Sequence, residues 1–245
     1  MPDRQFADPH LAALYDPLVG REARADFNFY LPLILAAESV LDIGCGTGAL
    51  LHWARERGHA GRLTGLDPAV GMLTVARTRD DIEWMLGDPS TLTTDREFDL
   101  AVMSGHAFQV FLADDELQNA LLAIHRSLRP GGVFAFETRN PAARAWEQWT
   151  AGHSLTFTAP DGSQAAYTAE VEEIAGEIVR FRASYTKDGW EAPEYSMSTL
   201  RFLDAGPLNA FLVAAGFEVV EQFGDWDRTP VSPSSPEIIT LARRR

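Results

Sequence analysis

The sequence has few of the features that mark secreted, membrane-spanning or disulfide-stabilised proteins. Cys45 is the only cysteine among 245 residues, so an intrachain disulfide is excluded and a cytoplasmic location is expected. The longest apolar run, Phe29–Ala37, contains Pro32 and is far shorter than the roughly 20 residues needed to span a bilayer. The start of the chain mixes charges and prolines without an apolar stretch, so we expect neither a secretory signal nor a membrane segment.

Basic residues are also scarce, which bears on the kind of partner. The chain has 21 Lys and Arg against 35 Asp and Glu, a net charge of −14 that repels phosphate backbones. The basic run Arg243–Arg245 is short and terminal, which is typical of a solvated chain end. We therefore expect a small or neutral partner rather than nucleic acid, although a folded RNA stays an alternative. No metal site is expected, and a homodimer is compatible with the sequence.

Apolar strands and helical segments alternate up to about residue 140. The predicted strands are Ser39–Ile43, Arg62–Asp67, Ile82–Leu86, Phe98–Ser104 and Val133–Thr138. The predicted helices are Ala49–Arg57, Val70–Arg79 and Asp114–Leu128, the last of them stopped by Pro130-Gly131-Gly132. This alternation predicts an α/β fold with a doubly wound, mostly parallel sheet.

The pattern changes after Asn140. Runs of β-forming residues are separated by the turn signals Asp161-Gly162 and Asp188-Gly189, which predicts an antiparallel meander. A helix near Pro207–Ala215 and strands at Phe217–Phe223 and Glu237–Leu241 complete the chain. Since no linker-like tract separates the meander from its neighbours, we interpret it as an insertion within one α/β domain.

Three alternate glycines join the first predicted strand to a helix in VLDIGCGTGAL, residues Val40–Leu50. Gly44, Gly46 and Gly48 lack Cβ atoms and permit positive φ, so backbone N–H groups can lie against a ligand at the helix N-terminus. The spacing differs from the dinucleotide fingerprint G-x-G-x-x-G, and the Lys-Ser/Thr pair of a P-loop is missing. We interpret Cys45, within the loop, as a small buried filler.

The order Asp42-x-Gly44-x-Gly46-x-Gly48 resembles motif I of the class I methyltransferases that use S-adenosylmethionine. The resemblance continues through RLTGLDPAVGMLTVAR, MLGDPSTL, FDLAVMSGHAFQVF and LRPGGVFAFET, in the family's order, and covers Val40–Asn140. It implies a Rossmann-like, seven-stranded sheet with an antiparallel β insertion after strand five. It also implies that S-adenosylmethionine is the cofactor and that a methyl group is transferred by in-line displacement.

The resemblance also implies roles for individual residues. Asp67, at the end of the second strand, is expected to accept hydrogen bonds from both ribose hydroxyls, and Asp88 from the adenine amino group. Either carboxylate could instead cap a short turn. The other expected cofactor-binding residues are Tyr15, Asp42, Gly44, Gly46, Gly48, Met72 and Ser104.

Acceptor-side candidates follow the carboxyl ends of the strands, where doubly wound folds bind ligands. His106, after the fourth strand, is the candidate catalytic acid/base because imidazole titrates near neutrality; contact with the bound cofactor is the alternative. Glu137 and Arg139 either pair with each other or contact the substrate, and Asn140 follows them. Tyr15 resembles the lid tyrosine of related small-molecule methyltransferases, although its helical spacing also fits plain packing.

The implied domain plan has three parts. Residues 1–38 form an N-terminal helical lid, residues 39–145 and 204–245 a Rossmann-like cofactor-binding domain, and residues 146–203 an inserted antiparallel layer over the acceptor site. The loop Asp225–Asp227 is expected to return to the ligand face of the sheet. One or two aromatic residues of the C-terminal portion should line the acceptor pocket. The candidates are Trp146, Trp149, Trp190, Tyr195 and Trp226.

The function implied by the resemblance is methyl transfer to nitrogen or oxygen of a small-molecule acceptor. Within the same family an RNA methyltransferase is the alternative. A non-catalytic S-adenosylmethionine-binding sensor or scaffold protein would keep the same cofactor loop without turnover. A nicotinamide-dependent oxidoreductase is a further alternative, which the glycine spacing disfavours.

Overall fold

The computed structural model describes residues 2–20 and 24–245 of the chain. Its helices are α1 (Arg4–Ala7), α2 (Pro9–Ala12), α3 (Tyr15–Val19), α4 (Ala25–Ala36), α5 (Ala49–Glu56), α6 (Val70–Ala76), α7 (Asp114–Ser127) and α8 (Ala205–Ala214). Its strands are β1 (Ser39–Ile43), β2 (Arg62–Asp67), β3 (Glu83–Leu86), β4 (Phe98–Met103), β5 (Leu128–Arg139), β6 (Ser154–Thr158), β7 (Gln164–Ala175), β8 (Ile178–Lys187), β9 (Glu194–Arg201), β10 (Phe217–Phe223) and β11 (Glu237–Arg244).

Seven strands form a mostly parallel sheet in the order β10-β11-β5-β4-β1-β2-β3. Strands β1 to β5 run parallel, whereas β11 lies antiparallel between β5 and β10. The predicted doubly wound, seven-stranded sheet is therefore confirmed. Because β11 is reversed, its first residue lies at the edge where the parallel strands have their carboxyl ends.

The central strands are buried because their residues are apolar on both faces. All five residues of β1 are buried, and helix α5 packs Leu50, Leu51 and Ala54 against the sheet. On the opposite face α7 buries Leu117 and Leu121. The predicted bounds of β1 and β2 agree with the structure. Helix α7 ends at Ser127, and the Pro130–Gly132 segment that was expected to stop it already belongs to β5.

A second, antiparallel sheet has the order β6-β7-β8-β9 and follows β5, which confirms the predicted insertion. Leu11 and Leu14 of the N-terminal segment share an apolar cluster with Phe181 and Tyr185 of this sheet. The Tyr185 hydroxyl also donates a 2.9 Å hydrogen bond to buried Gln5. The small sheet and the first helices are thus packed together as one layer.

Helix α4 differs from α1 to α3 in what it covers. Phe27, Tyr30 and Ile34 are buried with Val40 and Val102 in a core cluster of the large sheet. Residue 1 and residues 21–23 of the predicted 1–38 lid lie outside the described residues. The division of the chain into lid, cofactor domain and inserted layer stays a prediction. Within residues 2–20 and 24–245, no helix is long and apolar enough to cross a membrane.

Candidate active site

The three glycines after β1 serve different purposes. Gly44, Gly46 and Gly48 have φ values of +69°, +56° and +74°. A Cβ at Gly48 would collide with the Trp84 ring, and one at Gly44 would lie 2.8 Å from the Ala107 Cβ. At Gly46 a Cβ would meet nothing within 4 Å. Two glycines are therefore required by neighbouring side chains, and Gly46 faces open space.

Asp67 holds the glycine loop in shape from the end of β2. Its Oδ2 accepts a 2.8 Å hydrogen bond from the Gly46 N–H, and its Oδ1 accepts one of 2.8 Å from the Ala69 N–H. Burial raises the pKa of the Asp67 carboxyl. Each carboxylate oxygen can accept a further hydrogen bond, so these contacts leave the predicted role toward ribose hydroxyls available.

Asp42 is buried, with only 1% of its surface exposed. Neither of its carboxyl oxygens has a hydrogen-bond partner among the described residues. Burial, followed by the charge of nearby Asp67, raises the pKa of Asp42 to about 8. An unsatisfied buried carboxyl is costly, because it has lost water without gaining a donor. The position next to the glycine loop indicates that the missing donor belongs to a ligand.

The N-terminal helices reach this loop through α3. The Thr47 hydroxyl donates a 2.6 Å hydrogen bond to Oδ1 of Asp16. Tyr15 packs on a small cluster that includes buried Met72, and its hydroxyl lies 3.7 Å from where a Cβ on Gly105 would be. Tyr15 therefore lies between the glycine loop and the loop after β4, and its packing does not exclude the predicted lid role.

Asp88 follows β3 and is exposed. Its Oδ1 accepts hydrogen bonds from the N–H of Ser90 at 2.8 Å and from the Ser90 hydroxyl at 2.5 Å, and it caps a short 3₁₀ turn over Pro89–Thr91. The capping alternative is thus present in the structure. The role of Asp88 toward adenine stays a prediction, and so does the role of half-buried Ser104 after β4.

His106 is held in a strained backbone conformation by a buried glutamate. Its φ of +60° is uncommon for a residue with a side chain. The His106 N–H donates a 2.8 Å hydrogen bond to Oε1 of Glu137, and the Tyr30 hydroxyl donates to Oε2 of the same carboxylate. Burial raises the pKa of fully buried Glu137. Glu137 and Tyr30 therefore fix the loop that carries His106.

The His106 side chain pairs with the first residue of β11. Its Nε2 lies 3.0 Å from both carboxyl oxygens of Glu237, and the two side chains are 20% and 12% exposed. Desolvation, followed by the Arg139 charge, lowers the pKa of His106 to about 3, and desolvation raises the pKa of Glu237 to about 8. The prediction that His106 itself titrates near neutrality is wrong, because the carboxyl of the pair does so instead.

Arg139 and Asn140 contact other groups than the sequence suggested. Arg139 donates a 2.9 Å hydrogen bond to Oε1 of Gln109, and no ion pair with Glu137 is present among the described residues. The other alternative, contact with the substrate, stays a prediction. The Asn140 amide donates to the carbonyls of Ser232 and Ser235 at 3.0 and 2.8 Å. Asn140 therefore fixes the loop that leads into β11.

Among the five aromatic candidates, Trp149 lies beside Arg139. The Arg139 guanidinium is 5.4 Å from the centre of the Trp149 ring. The other four have different neighbours. Trp146 packs on Phe202, Trp226 on Phe29 and Tyr30, Trp190 lies beside Lys187, and Tyr195 is exposed beneath Arg182.

Sequence reasoning missed three residues that help to form this site. Glu237 begins a strand whose reversal could have indicated its position at the ligand edge. Asp16 and Tyr30 carry no such signal, because Asp16 joins a helix to the glycine loop at Thr47 and Tyr30 joins a helix to the distant strand β5 at Glu137.

Comparison with known proteins agrees with this geometry. Residues 40–132 match the family model described as a methyltransferase domain. The matched residues form a methyltransferase domain, and the chain is similar to the class I methyltransferases. S-adenosylmethionine is the cofactor that the resemblance implies. The enzyme class predicted from the sequence is confirmed.

Relatives of this methyltransferase differ in how much of their length they share with it. It is 27% identical to the cypemycin N-terminal methyltransferase of a Streptomyces species over 86% of this chain and 85% of that protein. It is 42% identical to the malonyl-[acyl-carrier protein] O-methyltransferase of Salmonella typhimurium over 41% of this chain, which is 38% of that relative.

Solved structures extend the likeness of the fold to nearly the whole methyltransferase. The CcbJ methyltransferase from Streptomyces caelestis has a TM-score of 0.74 at 20% identity, with 96% of each chain covered. DesVI of Streptomyces venezuelae has a TM-score of 0.72 at 23% identity, with 95% of this chain and 96% of that one covered. At such identities the likeness concerns the fold.

The residues of this methyltransferase fit its cofactor. The unpartnered carboxyl of Asp42 matches a ligand with a cationic amino group, and the open side of Gly46 leaves backbone accessible at the N-terminus of α5. S-adenosylmethionine carries an ammonium group on its amino-acid end. The fit rests on two independent features, one electrostatic and one steric.

Proposed function

We propose that this methyltransferase transfers a methyl group to a small-molecule acceptor, at nitrogen or oxygen, bound beside His106. The observation that carries the proposal is the paired, mostly buried His106 and Glu237 at the carboxyl ends of β4 and β5. A reactive pair with so little exposed surface suits an acceptor that enters a pocket. The net charge of −14 also disfavours a phosphate-rich macromolecule.

Printed names of similar proteins support an acceptor of this class. The KedS8 protein of Streptoalloteichus, with a TM-score of 0.70 at 22% identity, is described as a sugar N-methyltransferase. CalS10 of Micromonospora echinaspora, with a TM-score of 0.65 at 23% identity, is described as an amino pentose methyltransferase. We extend only the general class, a small-molecule acceptor, to this chain.

The roles proposed for the cofactor side are those that the resemblance implies, and the unpartnered Asp42 carboxyl and the open side of Gly46 support them. Asp42 accepts from the cofactor ammonium, Gly44 to Gly48 face its amino-acid end and ribose, and Asp67 binds the ribose hydroxyls. Asp88 binds the adenine amino group, while Met72, Ser104 and Tyr15 line the remaining walls. The bound cofactor supplies an electrophilic methyl group, so the protein contributes mainly alignment and exclusion of water.

The first helices and the small sheet form the proposed cover of the site. Their shared apolar cluster and the Thr47–Asp16 hydrogen bond let α3 lie over the glycine loop as a lid. The cytoplasm stays the proposed location, since the single cysteine, Cys45, is buried and unpaired.

The test is a labelling experiment with fractionated acceptors. The protein is incubated with methyl-labelled S-adenosylmethionine and a cell extract, which is then separated into small metabolites, RNA and protein. We expect label in small metabolites, and we expect the Gly46→Ala variant to abolish it. Label in RNA alone would favour an RNA methyltransferase. No label in any fraction, together with tight cofactor binding, would favour a sensor or scaffold.

A further inference from the structure

Glu237 lies on the acceptor side although it belongs to the last strand. Because β11 runs antiparallel, Glu237 begins at the edge where β4 and β5 end, and it pairs in register with Arg139. Its N–H donates to the carbonyl of Gly224 at 3.1 Å, so its backbone position is fixed by the preceding loop. This fixed position brings its carboxyl to the His106 imidazole.

Within residues 2–20 and 24–245, the surroundings of the pair contain more carboxylates than arginines that lack a carboxylate partner. Asp26, Asp225 and Glu137 are close enough to act on the titration of Glu237 or His106. Of the two arginines nearby, Arg24 is occupied by two hydrogen bonds from its Nε to Asp26, at 2.8 and 3.1 Å, and one from its Nη2 at 2.5 Å.

The second arginine, Arg139, donates to the neutral amide oxygen of Gln109 and therefore remains the main cation facing Glu237. Among the described residues, one arginine faces Glu237, Glu137 and Asp225, which leaves an excess of acidic groups once Glu237 is ionised, above a pH of about 8. A positively charged acceptor group is favoured in such a field.

We propose that the acceptor is a small amine that arrives as an ammonium ion, and that the Glu237–His106 pair accepts its proton. This inference rests on the proposed function and assigns Glu237 a part in it. An ammonium nitrogen has no lone pair, so methyl transfer to it needs a proton acceptor within reach. An acidic, mostly desolvated pair beside the loop after β4 meets that need.

The step balances in protons and charge. The ammonium nitrogen gives one proton to the pair, where the Glu237 carboxylate and His106 Nε2 share it. The freed lone pair forms the new N–C bond while the C–S bond of the sulfonium breaks and its electron pair stays on sulfur. The products are a methylated ammonium ion and a neutral thioether, and the pair returns its proton to solvent.

The competent form of the pair is the one with ionised Glu237. Since the pKa of Glu237 is raised to about 8, activity should rise as the pH increases through that value. Among the described residues, the charged groups that face the pair are Arg139 and Glu137 from β5, Arg24 and Asp26 at the start of α4, and Asp225.

The first experiment divides the possible acceptors by charge. Small metabolites from a cell extract are passed over a cation exchanger at pH 6, and the bound and unbound pools are each incubated with methyl-labelled S-adenosylmethionine and the enzyme. We expect label from the bound, cationic pool. Label from the unbound pool alone would overturn the amine inference and leave the proposed function intact. No label from either pool would contradict the proposed function and the inference together.

The second experiment tests Glu237 with a variant that keeps its shape. Glu237→Gln can still hydrogen-bond to His106 but cannot ionise. We expect kcat/KM for the active pool to fall about a hundredfold at pH 8, with the rise of rate with pH lost. The calorimetric affinity for S-adenosylhomocysteine should stay within about twofold, since no hydrogen bond among the described residues joins the Glu237 side chain to Asp42, Asp67 or Gly44–Gly48.

The control is Glu218→Gln, which removes a half-exposed carboxylate of the neighbouring strand β10 and should leave rate and pH profile unchanged. Equal rates and pH profiles for wild type and Glu237→Gln would overturn the role of Glu237. A loss of rate that is the same at every pH, with weaker binding of S-adenosylhomocysteine, would reduce Glu237 to a structural residue.

Discussion

The Thr47 hydroxyl in the glycine loop donates a 2.6 Å hydrogen bond to the Asp16 carboxylate in α3. Thr47 is only 3% exposed. This contact joins the segment that we propose as a lid to the loop that we propose as the cofactor site. Because Tyr15 is the neighbouring residue, the same contact sets where its ring lies. Cofactor binding and the closure of the N-terminal helices should therefore depend on each other.

We expect Thr47→Val to weaken binding of S-adenosylhomocysteine about tenfold. A hydrogen bond to a charged group contributes about 1.5–3 kcal/mol, and about 1.4 kcal/mol corresponds to a factor of ten in affinity. Isothermal titration calorimetry measures the change. Thr74→Val is the control, because the exposed Thr74 hydroxyl donates to the Val70 carbonyl within its own helix. Equal affinity in Thr47→Val and wild type would show that the contact does not close the site.

Gly46 and Gly48 should respond differently to alanine. At Gly46 the new methyl group enters open space, so we expect a loss of about 1–2 kcal/mol in unfolding free energy from the left-handed backbone and a large loss of cofactor affinity. At Gly48 the methyl group meets the Trp84 ring, so the unfolding free energy should fall further. Urea unfolding and calorimetry on both variants test this. Greater instability in Gly46→Ala than in Gly48→Ala would contradict the assignment.

Asp42→Asn should stabilise the free protein while weakening cofactor binding. The folded-state pKa of Asp42 is raised from 3.8 to about 8, so folding favours the protonated carboxyl. The protonated Asp42 carboxyl contributes its full share of the unfolding free energy below pH 4, and this contribution is lost as the pH rises through about 8. The melting temperature of Asp42→Asn should therefore exceed that of wild type most at pH 8, whereas its affinity for S-adenosylhomocysteine falls.

Thermal unfolding of ligand-free protein from pH 4 to pH 8 measures the stability effect of Asp42→Asn. Asp95→Asn serves as the control, since Asp95 is exposed and lies outside the site. A lower melting temperature for Asp42→Asn at pH 8 would contradict the interpretation that the Asp42 carboxyl is unsatisfied in the free protein. Unchanged cofactor affinity would contradict its proposed contact with the ligand ammonium.

Tyr30→Phe should reduce both stability and turnover. Without the Tyr30 hydroxyl, one oxygen of buried Glu137 loses its donor, which costs about 1–3 kcal/mol. The loop of His106, held at a positive φ by the same carboxylate, should then relax and lower kcat. Tyr195→Phe is the control, because Tyr195 is 48% exposed. Unfolding midpoints and methyl-transfer rates are the measurements. An unchanged kcat would show that Tyr30 does not contribute to turnover.

The sequence predicts best the elements whose burial follows from the pattern of apolar residues within the element itself. The bounds of β1, β2 and β10 are as predicted, because each is a continuous or alternating apolar run next to a turn. The end of α7 was harder to locate. The chain passes from helix to strand between Ser127 and Leu128 without an intervening loop, so the Pro-Gly-Gly signal marks a bend within β5.

The side-chain pairs of the site were beyond sequence reasoning for a physical reason. His106 and Glu237 are 131 residues apart, and their contact arises only after β11 has inserted between β5 and β10. Burial also reverses the order of the two pKa values. In the free amino acids histidine has the higher pKa, whereas in this pair Glu237 does. The glycine motif, by contrast, is local, and together with the segments that follow it in the family's order it carries the resemblance that implies the cofactor.

The most direct test of the whole site is a crystal structure of the complex with S-adenosylhomocysteine. We expect the ligand to bind along Gly44–Gly48, with its ammonium beside Asp42 and its ribose hydroxyls bonded to Asp67. Its sulfur should face Gly105 and His106. Density for the ligand elsewhere, or a ligand that leaves the Asp42 carboxyl without a donor, would contradict it.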